Sequence, residues 1–214
     1  ISDDTLVGIS DQCLQAKWAL EHYLVQEVQE NDFVKEDRGD LILPEGPSAK
    51  QQVPSEIHRR ARIAAVQWLT GAHYPPRSST MLNLNVALAE ADRFTFAGCM
   101  VTRQSGKDVL DNELRFSREY NAVKGLFTST DSLWDGRWVL DGPHERGLEV
   151  RALGEAVSEC PDWRDAGLPR TSLLSSPSVW RGNELISAPL AGFSNGWTAK
   201  ATGRGNFAEF LLSR

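Results

Sequence analysis

An α+β fold is what this sequence predicts: a helical domain with β-hairpins over residues 1–128, followed by a small β-rich domain over residues 129–214. Three observations point to it. Apolar residues recur at helical spacing in three stretches of the first 91 residues. Short apolar runs are paired around glycine turns, at Gly39, Gly106, Gly136 and Gly182. Five of the seven tryptophans (Trp134, Trp138, Trp163, Trp180, Trp197) fall in the last 81 residues, where short strands replace long helices.

The elements follow in order. Leu6, Ile9, Cys13, Leu20, Leu24 and Val28 predict a helix reaching about Glu30, with Ser10-Asp11 as its cap. Phe33-Val34 and Leu41-Ile42-Leu43 flank Arg38-Gly39-Asp40 as a hairpin, and Pro44 to Pro54 is a proline-rich linker. A second helix starts near Pro54-Ser55 and stops at Gly71. At about 100° per residue, Ala61, Ala64, Ala65 and Trp68 fall within about 80° of Ile57 and form one buried stripe. Arg59 lies about 180° and Arg62 about 120° from the stripe, which predicts that both are exposed; Arg60 lies at its edge. Ser78-Ser79-Thr80 offers a cap for a third helix from about Met81 to Ala91. Phe94 to Arg103 and Val109 to Arg118 are expected as paired strands around Gln104 to Lys107, with Gly98 inside the first as a bulge or a close backbone approach. Asn121 to Ser132 is a polar loop. Beyond it lie strands at Leu133 to Leu140, Gly147 to Gly154 and Ser178 to Pro189, and one helix near Glu155 to Ala166.

Composition excludes several classes. Apolar content of 41% and charged content of 24% suit a globular domain. No apolar run approaches the roughly 20 residues needed to span a bilayer, and no basic-then-apolar leader is present. A chain beginning at Ile1 is expected to be a piece of a longer protein. Cys13, Cys99 and Cys160 form neither a CxxC pair nor a zinc pattern, and are expected as buried reduced thiols of a cytoplasmic protein. The net charge of −6 is unevenly spread. Residues 1–56 carry 4 basic and 12 acidic groups, residues 57–126 carry 10 and 6, and residues 127–214 carry 9 and 11. The middle third is where a phosphate backbone could be met.

No catalytic constellation emerges. Gly203-Arg204-Gly205 lacks the strand–loop–helix context of a phosphate loop and is an ordinary turn. No G-x-S-x-G elbow accompanies His22, His58, His73 or His144, so a free-standing hydrolase using Asp135 or Asp141 has little support. Asp108, Asp111 and Glu113 are a solvated hairpin tip rather than a metal site. The candidate RNA-binding residues are Arg59, Arg62, Arg77, Arg103, Arg115 and Arg118, with Arg93 nearby, because a planar guanidinium can bind two phosphate oxygens at once. The competing reading is that these arginines pair with the acids of residues 1–56. Tryptophans can stack on bases, but Trp134 and Trp138 alternate with Asp135 and Arg137 as a half-buried strand does, which favours core packing.

Several separated motifs carry a resemblance. Tyr74-Pro75-Pro76-Arg77, Thr95-Phe96-Ala97-Gly98-Cys99 and Arg118-Glu119, then Leu133-Trp134-Asp135-Gly136-Arg137-Trp138 and Ser178 to Pro189, resemble in order and spacing the C-terminal half of tRNA(Ile)-lysidine synthetase of the alphaproteobacterial type. In that family an N-terminal Ser-Gly-Gly-x-Asp-Ser domain uses ATP and magnesium to adenylate C2 of the wobble cytidine of the CAU anticodon, and lysine displaces AMP. The resemblance implies that this chain is the tRNA(Ile)-recognition region, without cofactor of its own and inactive alone, since the nucleotide loop is absent from it. It also implies that residues 1–30 form the long helix following the catalytic domain. The Lys-Lys pattern of many second C-terminal domains is missing, because Lys200 is the only lysine after Leu133. The alternative is a protein-interaction or homodimerisation module with no RNA contact.

Overall fold

The computed structural model of the chain describes residues 3–46, 53–104 and 112–213. Helix α1 (Asp3–Glu30) passes straight through Ser10-Asp11, which caps nothing, because the apolar period already runs from Leu6. Only its second half is packed: Leu24 is buried, and Leu20, Tyr23 and Val28 lie against the same core. Strands β1 (Lys35–Asp37) and β2 (Asp40–Pro44) reverse at Arg38 and Gly39, which both adopt positive φ (48° and 88°), the geometry of a two-residue hairpin turn.

Helix α2 (Ser55–Thr70) ends at Gly71, whose left-handed backbone (φ 72°) lets its N–H reach the Gln67 carbonyl. The stripe of Ile57, Ala61, Ala64, Ala65 and Trp68 is buried as its periodicity requires. Helix α3 (Ser78–Glu90) begins three residues earlier than Met81 and takes Ser78-Ser79-Thr80 into its first turn. Arg77 holds the cap position and no side chain caps the helix. Strands β3 (Arg93–Phe96), β4 (Cys99–Gln104) and β5 (Glu113–Arg118) complete an antiparallel sheet in the order β1-β2-β5-β4-β3. The expected single strand Phe94 to Arg103 is therefore two strands. Ala97 and Gly98 both take positive φ (49° and 78°) and turn the chain back; Gly98 is a turn residue, not a bulge. The apolar alternation continues on both sides of this turn and so conceals it. The predicted reversal near Gly106, and Asp108 and Asp111 of the acidic cluster, lie outside the described residues.

The predicted polar loop Asn121 to Ser132 instead contains a short helix α4 (Tyr120–Val123) and strand β6 (Phe127–Ser129). Strands β7 (Trp138–Asp141), β8 (Leu148–Ala152), β9 (Pro177–Arg181), β10 (Glu184–Ser187) and β11 (Thr198–Ala201) form a four-stranded antiparallel sheet, β10-β9-β8-β6, and a β11-β7 ribbon. In place of a helix over Glu155 to Ala166 there is one 3₁₀ segment, Gly154–Glu159. Pro161 accounts for the difference, since it has no N–H to give and holds Cys160 extended at φ −83°, ψ 115°. The chain closes with helices α5 (Arg170–Leu174), which precedes β9, and α6 (Phe207–Leu212), whose Asn206–Glu209 capping box fixes its start. Helix α6 returns to the first core, where Phe207 meets Trp68 edge-on with centroids 6.3 Å apart. Trp134, Trp138 and Trp197 fill the second core, as core packing predicts.

Cys99 and Cys160 are buried as expected, whereas Cys13 is exposed on the unpacked half of α1. Burial pushes the Cys99 thiol up to about 12. Iodoacetamide at mildly alkaline pH is therefore expected to alkylate Cys13 within minutes and to spare Cys99 and Cys160 until denaturant is added. Peptide mapping that finds Cys99 modified in the native chain would contradict this packing.

Candidate nucleic-acid interface

The arginines expected at an RNA surface fall into three situations. Arg115 on β5 is 5% exposed, and its fork donates to Asp40 (2.9 Å) and Asp37 (2.8 Å). Burial pushes the Asp40 carboxyl up, despite bonds from Arg115 and the Ser172 hydroxyl (2.5 Å). For Asp37, burial is outweighed by bonds from Arg115 and Arg38, which hold it below the usual carboxylate range. Arg118 donates to the Gly98 carbonyl (2.8 Å) and to Asp135 (3.1 Å). Arg103 grips both oxygens of Glu45 (2.9 and 2.7 Å) and reaches Asp92 (2.5 Å) and the Leu88 carbonyl. These three guanidiniums hold the fold together and have little left for a phosphate.

Arg62 corrects the helical-wheel expectation, because it is 9% exposed rather than free. Ten of the sixteen residues of α2 are buried, so the helix is covered well beyond its apolar stripe. The Arg62 guanidinium donates to the Glu45 carbonyl and lies 3.5 Å from Asn85 Oδ1 on α3. Arg59 is exposed as expected, and Arg77 is exposed too. Arg59 forks onto Glu56 (2.6 and 2.7 Å), while Arg77 has no side-chain partner among the described residues. Pairing with the acids of residues 1–56 thus accounts for Arg59, Arg103 and Arg115. Arg93 is exposed on β3.

A buried charged seam, which the sequence reading missed, joins the first sheet to the tryptophan-rich part. Arg137, 3% exposed, donates to the Gly39 carbonyl (2.7 Å) and Asp135 (3.3 Å) and lies over the Trp68 and Trp138 rings at 5.9 and 5.4 Å. Arg204, from the Gly203–Gly205 turn, donates to the carbonyls of Trp68 (2.5 Å), Leu69 (2.9 Å) and Asp135 (2.9 Å). Burial, together with Arg137, pushes Arg204 down to about 10. Asp135, the hydrolase candidate, is occupied by Arg118 and Arg137 and has no access to a substrate. The alternation around Arg137 could suggest a polar face; only its distance from Gly39 reveals the seam.

Two concave regions stand out among the described residues. One of about 690 Å³ lies between α2, α3 and Glu45-Gly46 and includes His58, Arg59, Arg62 and Ser78. Another of about 650 Å³ lies between α1, α2 and α6 and includes Lys17, Glu21, Arg60 and His73. In the tryptophan-rich part, Arg151, Arg170 and Arg181 are each tied to a glutamate. No group of three His, Cys, Asp or Glu residues suited to a metal occurs among the described residues, and no helix there is long and apolar enough to cross a membrane.

Comparison with known proteins agrees with the resemblance. The whole chain is 38% identical, over 215 aligned positions, to a tRNA(Ile)-lysidine synthase from Ruegeria pomeroyi. The chain matches the C-terminal half of that synthase. It spans 49% of the relative's length. No family model matches the chain, and no solved structure does. The chain is therefore similar, over its whole length, to the C-terminal half of a lysidine synthase.

Proposed function

We propose that this chain is the tRNA-recognition region of a lysidine synthase, which grips tRNA(Ile) in the cytoplasm while a separate domain uses ATP and magnesium to attach lysine to the wobble cytidine. The observation that carries this reading is the whole-chain similarity to the C-terminal half of a tRNA(Ile)-lysidine synthase. The absence of a glycine-rich nucleotide loop from the sequence agrees with it. The purified chain is expected to bind a tRNA(Ile) transcript with the CAU anticodon, with affinity falling steeply between 50 and 200 mM salt, by roughly tenfold or more if three or more phosphates are neutralised. With ATP, lysine and tRNA it should release no AMP. Fluorescence anisotropy across a salt series, and chromatography of the nucleotides, check the two halves of this expectation; salt-independent or undetectable tRNA binding would remove the reading.

One observation favours a second reading, a protein-interaction module. Leu6, Val7, Ile9, Leu14 and Trp18 on α1 are 46–62% exposed. An apolar helix of this kind suits a protein surface rather than RNA. Association through it would persist at high salt, unlike phosphate contact.

A further inference from the structure

The concavity of about 650 Å³ between α1, α2 and α6 carries a charge surplus in its own wall. Lys17 from α1, Arg59 and Arg60 from α2 and Arg204 from the Gly203–Gly205 turn line it, and Glu21 is the one carboxylate in that wall among the described residues. Glu56 and Glu209 stand just outside. Lys17 and Arg60 share Glu21 at 3.7 Å each, and Arg59 and Arg60 share Glu56. Glu209 is turned to the start of α6, where it accepts from the Asn206 N–H. The hydrogen bonds of Arg204 go to the backbone carbonyls of Trp68, Leu69 and Asp135, so no carboxylate there cancels its charge. Four cations therefore face three carboxylates even when both outer glutamates are counted.

The pairs leave these groups usable. The Lys17 and Arg59 side chains are 58% and 49% exposed, and exposed pairs contribute little to stability, so an anion can share the cations at small cost. Beneath them the cleft is apolar, with Leu24, Ile63, Phe210 and Leu211 in its floor. A basic wall over an apolar floor suits a ligand that brings both a charge and a ring.

An exposed aromatic stands at the edge of the same cleft. His73 and Pro75 belong to its wall, and Tyr74 between them is 86% exposed, more than any other large apolar or aromatic side chain among the described residues. The segment that presents it is tied down. The Gln67 amide donates to the Ala72 and His73 carbonyls, both at 3.2 Å, and the Ala72 N–H donates to the Thr70 hydroxyl. Pro75 restricts Tyr74 to extended backbone, and Pro76 restricts Pro75 in turn. A ring held in water adds little to either core and leaves both its faces open to a planar partner.

We infer that this cleft binds an unpaired RNA segment, with Lys17, Arg59 and Arg60 on the backbone phosphates and one base stacked on Tyr74. That the RNA is a tRNA rests on the tRNA-recognition reading; the cleft rests on its own charge and shape. A cationic groove beside an exposed ring is the arrangement that single strands require, because each nucleotide presents one phosphate and one flat base. The volume lies within the roughly 300–1,000 Å³ of small-ligand sites, which suits a short single strand and not the face of a duplex.

Fluorescence anisotropy of a labelled tRNA(Ile) transcript and of a short labelled oligouridylate, across a salt series with the whole chain, tests the cleft. Tyr74→Ala should weaken both about five- to thirtyfold at an unchanged salt slope, because stacking releases no counterions. Tyr74→Phe keeps the ring and should bind as the parent does. Lys17→Gln combined with Arg59→Gln should flatten the salt slope by roughly 1.4 to 2, the value for two lost phosphate contacts. Since all three positions are exposed, melting temperatures should stay within about 2 °C of the parent's. Parent affinity in Tyr74→Ala would overturn the stacking, and a parent salt slope in the double variant would overturn the phosphate surface; tRNA binding by the parent would keep the tRNA-recognition reading in both cases. Polyglutamate that competes as well as RNA of equal charge would overturn the choice of RNA. Oligouridylate binding with the expected losses, but no preference for tRNA(Ile) over another tRNA, would keep the cleft and remove the tRNA(Ile) reading.

Discussion

Asp135→Asn is expected to cost about 3–5 kcal/mol, the range for removing one partner of a buried ion pair. Asparagine keeps the shape of the side chain and tolerates the left-handed backbone at this position (φ 49°), so the change isolates the charge. The Asp135 carboxylate is 5% exposed and is the acceptor shared by Arg118 and Arg137, while its carbonyl accepts from Arg204. Without the negative charge, three guanidiniums face one another in a poorly hydrated seam. Burial already pushes Arg137 and Arg204 below the usual arginine range, so the repulsion has little solvent to screen it. For a chain of this size, thermal unfolding should occur roughly 10 °C lower. A melting temperature within about 2 °C of the parent's would mean that the seam is held by packing alone.

Gly39→Ala is expected to be nearly as damaging, by about 2–4 kcal/mol, and for a different reason. Gly39 has φ 88°, a conformation that strains any residue with a Cβ, and an added Cβ would sit 2.4 Å from the Trp138 ring. That ring belongs to the second core, so the clash separates the β1–β2 turn from the tryptophan-rich part. The Gly39 carbonyl would move away from Arg137 with it. Urea unfolding of the variant should show a lower midpoint with an unchanged slope, since the same surface is exposed. An unshifted midpoint would mean that the turn and Trp138 do not meet in solution.

Much of the architecture is legible because it depends on near neighbours along the chain. The stripe from Ile57 to Trp68, the stop at Gly71 and the reversals at Gly136 and Gly182 follow from helical period, strand period and glycine's tolerance of positive φ. The motifs from Tyr74 to Pro189, taken in order, also suffice for the resemblance to the lysidine synthases, which the comparison with the Ruegeria pomeroyi protein bears out. A local reading fails where two alternatives share one pattern, as at Ala97-Gly98, where a continuous strand and a tight hairpin show the same alternation.

The fate of each arginine was decided only in three dimensions. Arg115 finds Asp40 at a separation of 75 residues, Arg103 finds Glu45 at 58, and Arg137 finds the Gly39 carbonyl at 98. Helical periodicity places a guanidinium on one side of its own helix, but whether that side meets water depends on what else packs there. For Arg62 the answer is Glu45 and α3. Sequence determines which residues can carry charge and which elements present them. Burial and pairing are properties of contacts between distant segments, and they separate the arginines that hold this fold together from Arg77, which is exposed and has no side-chain partner among the described residues.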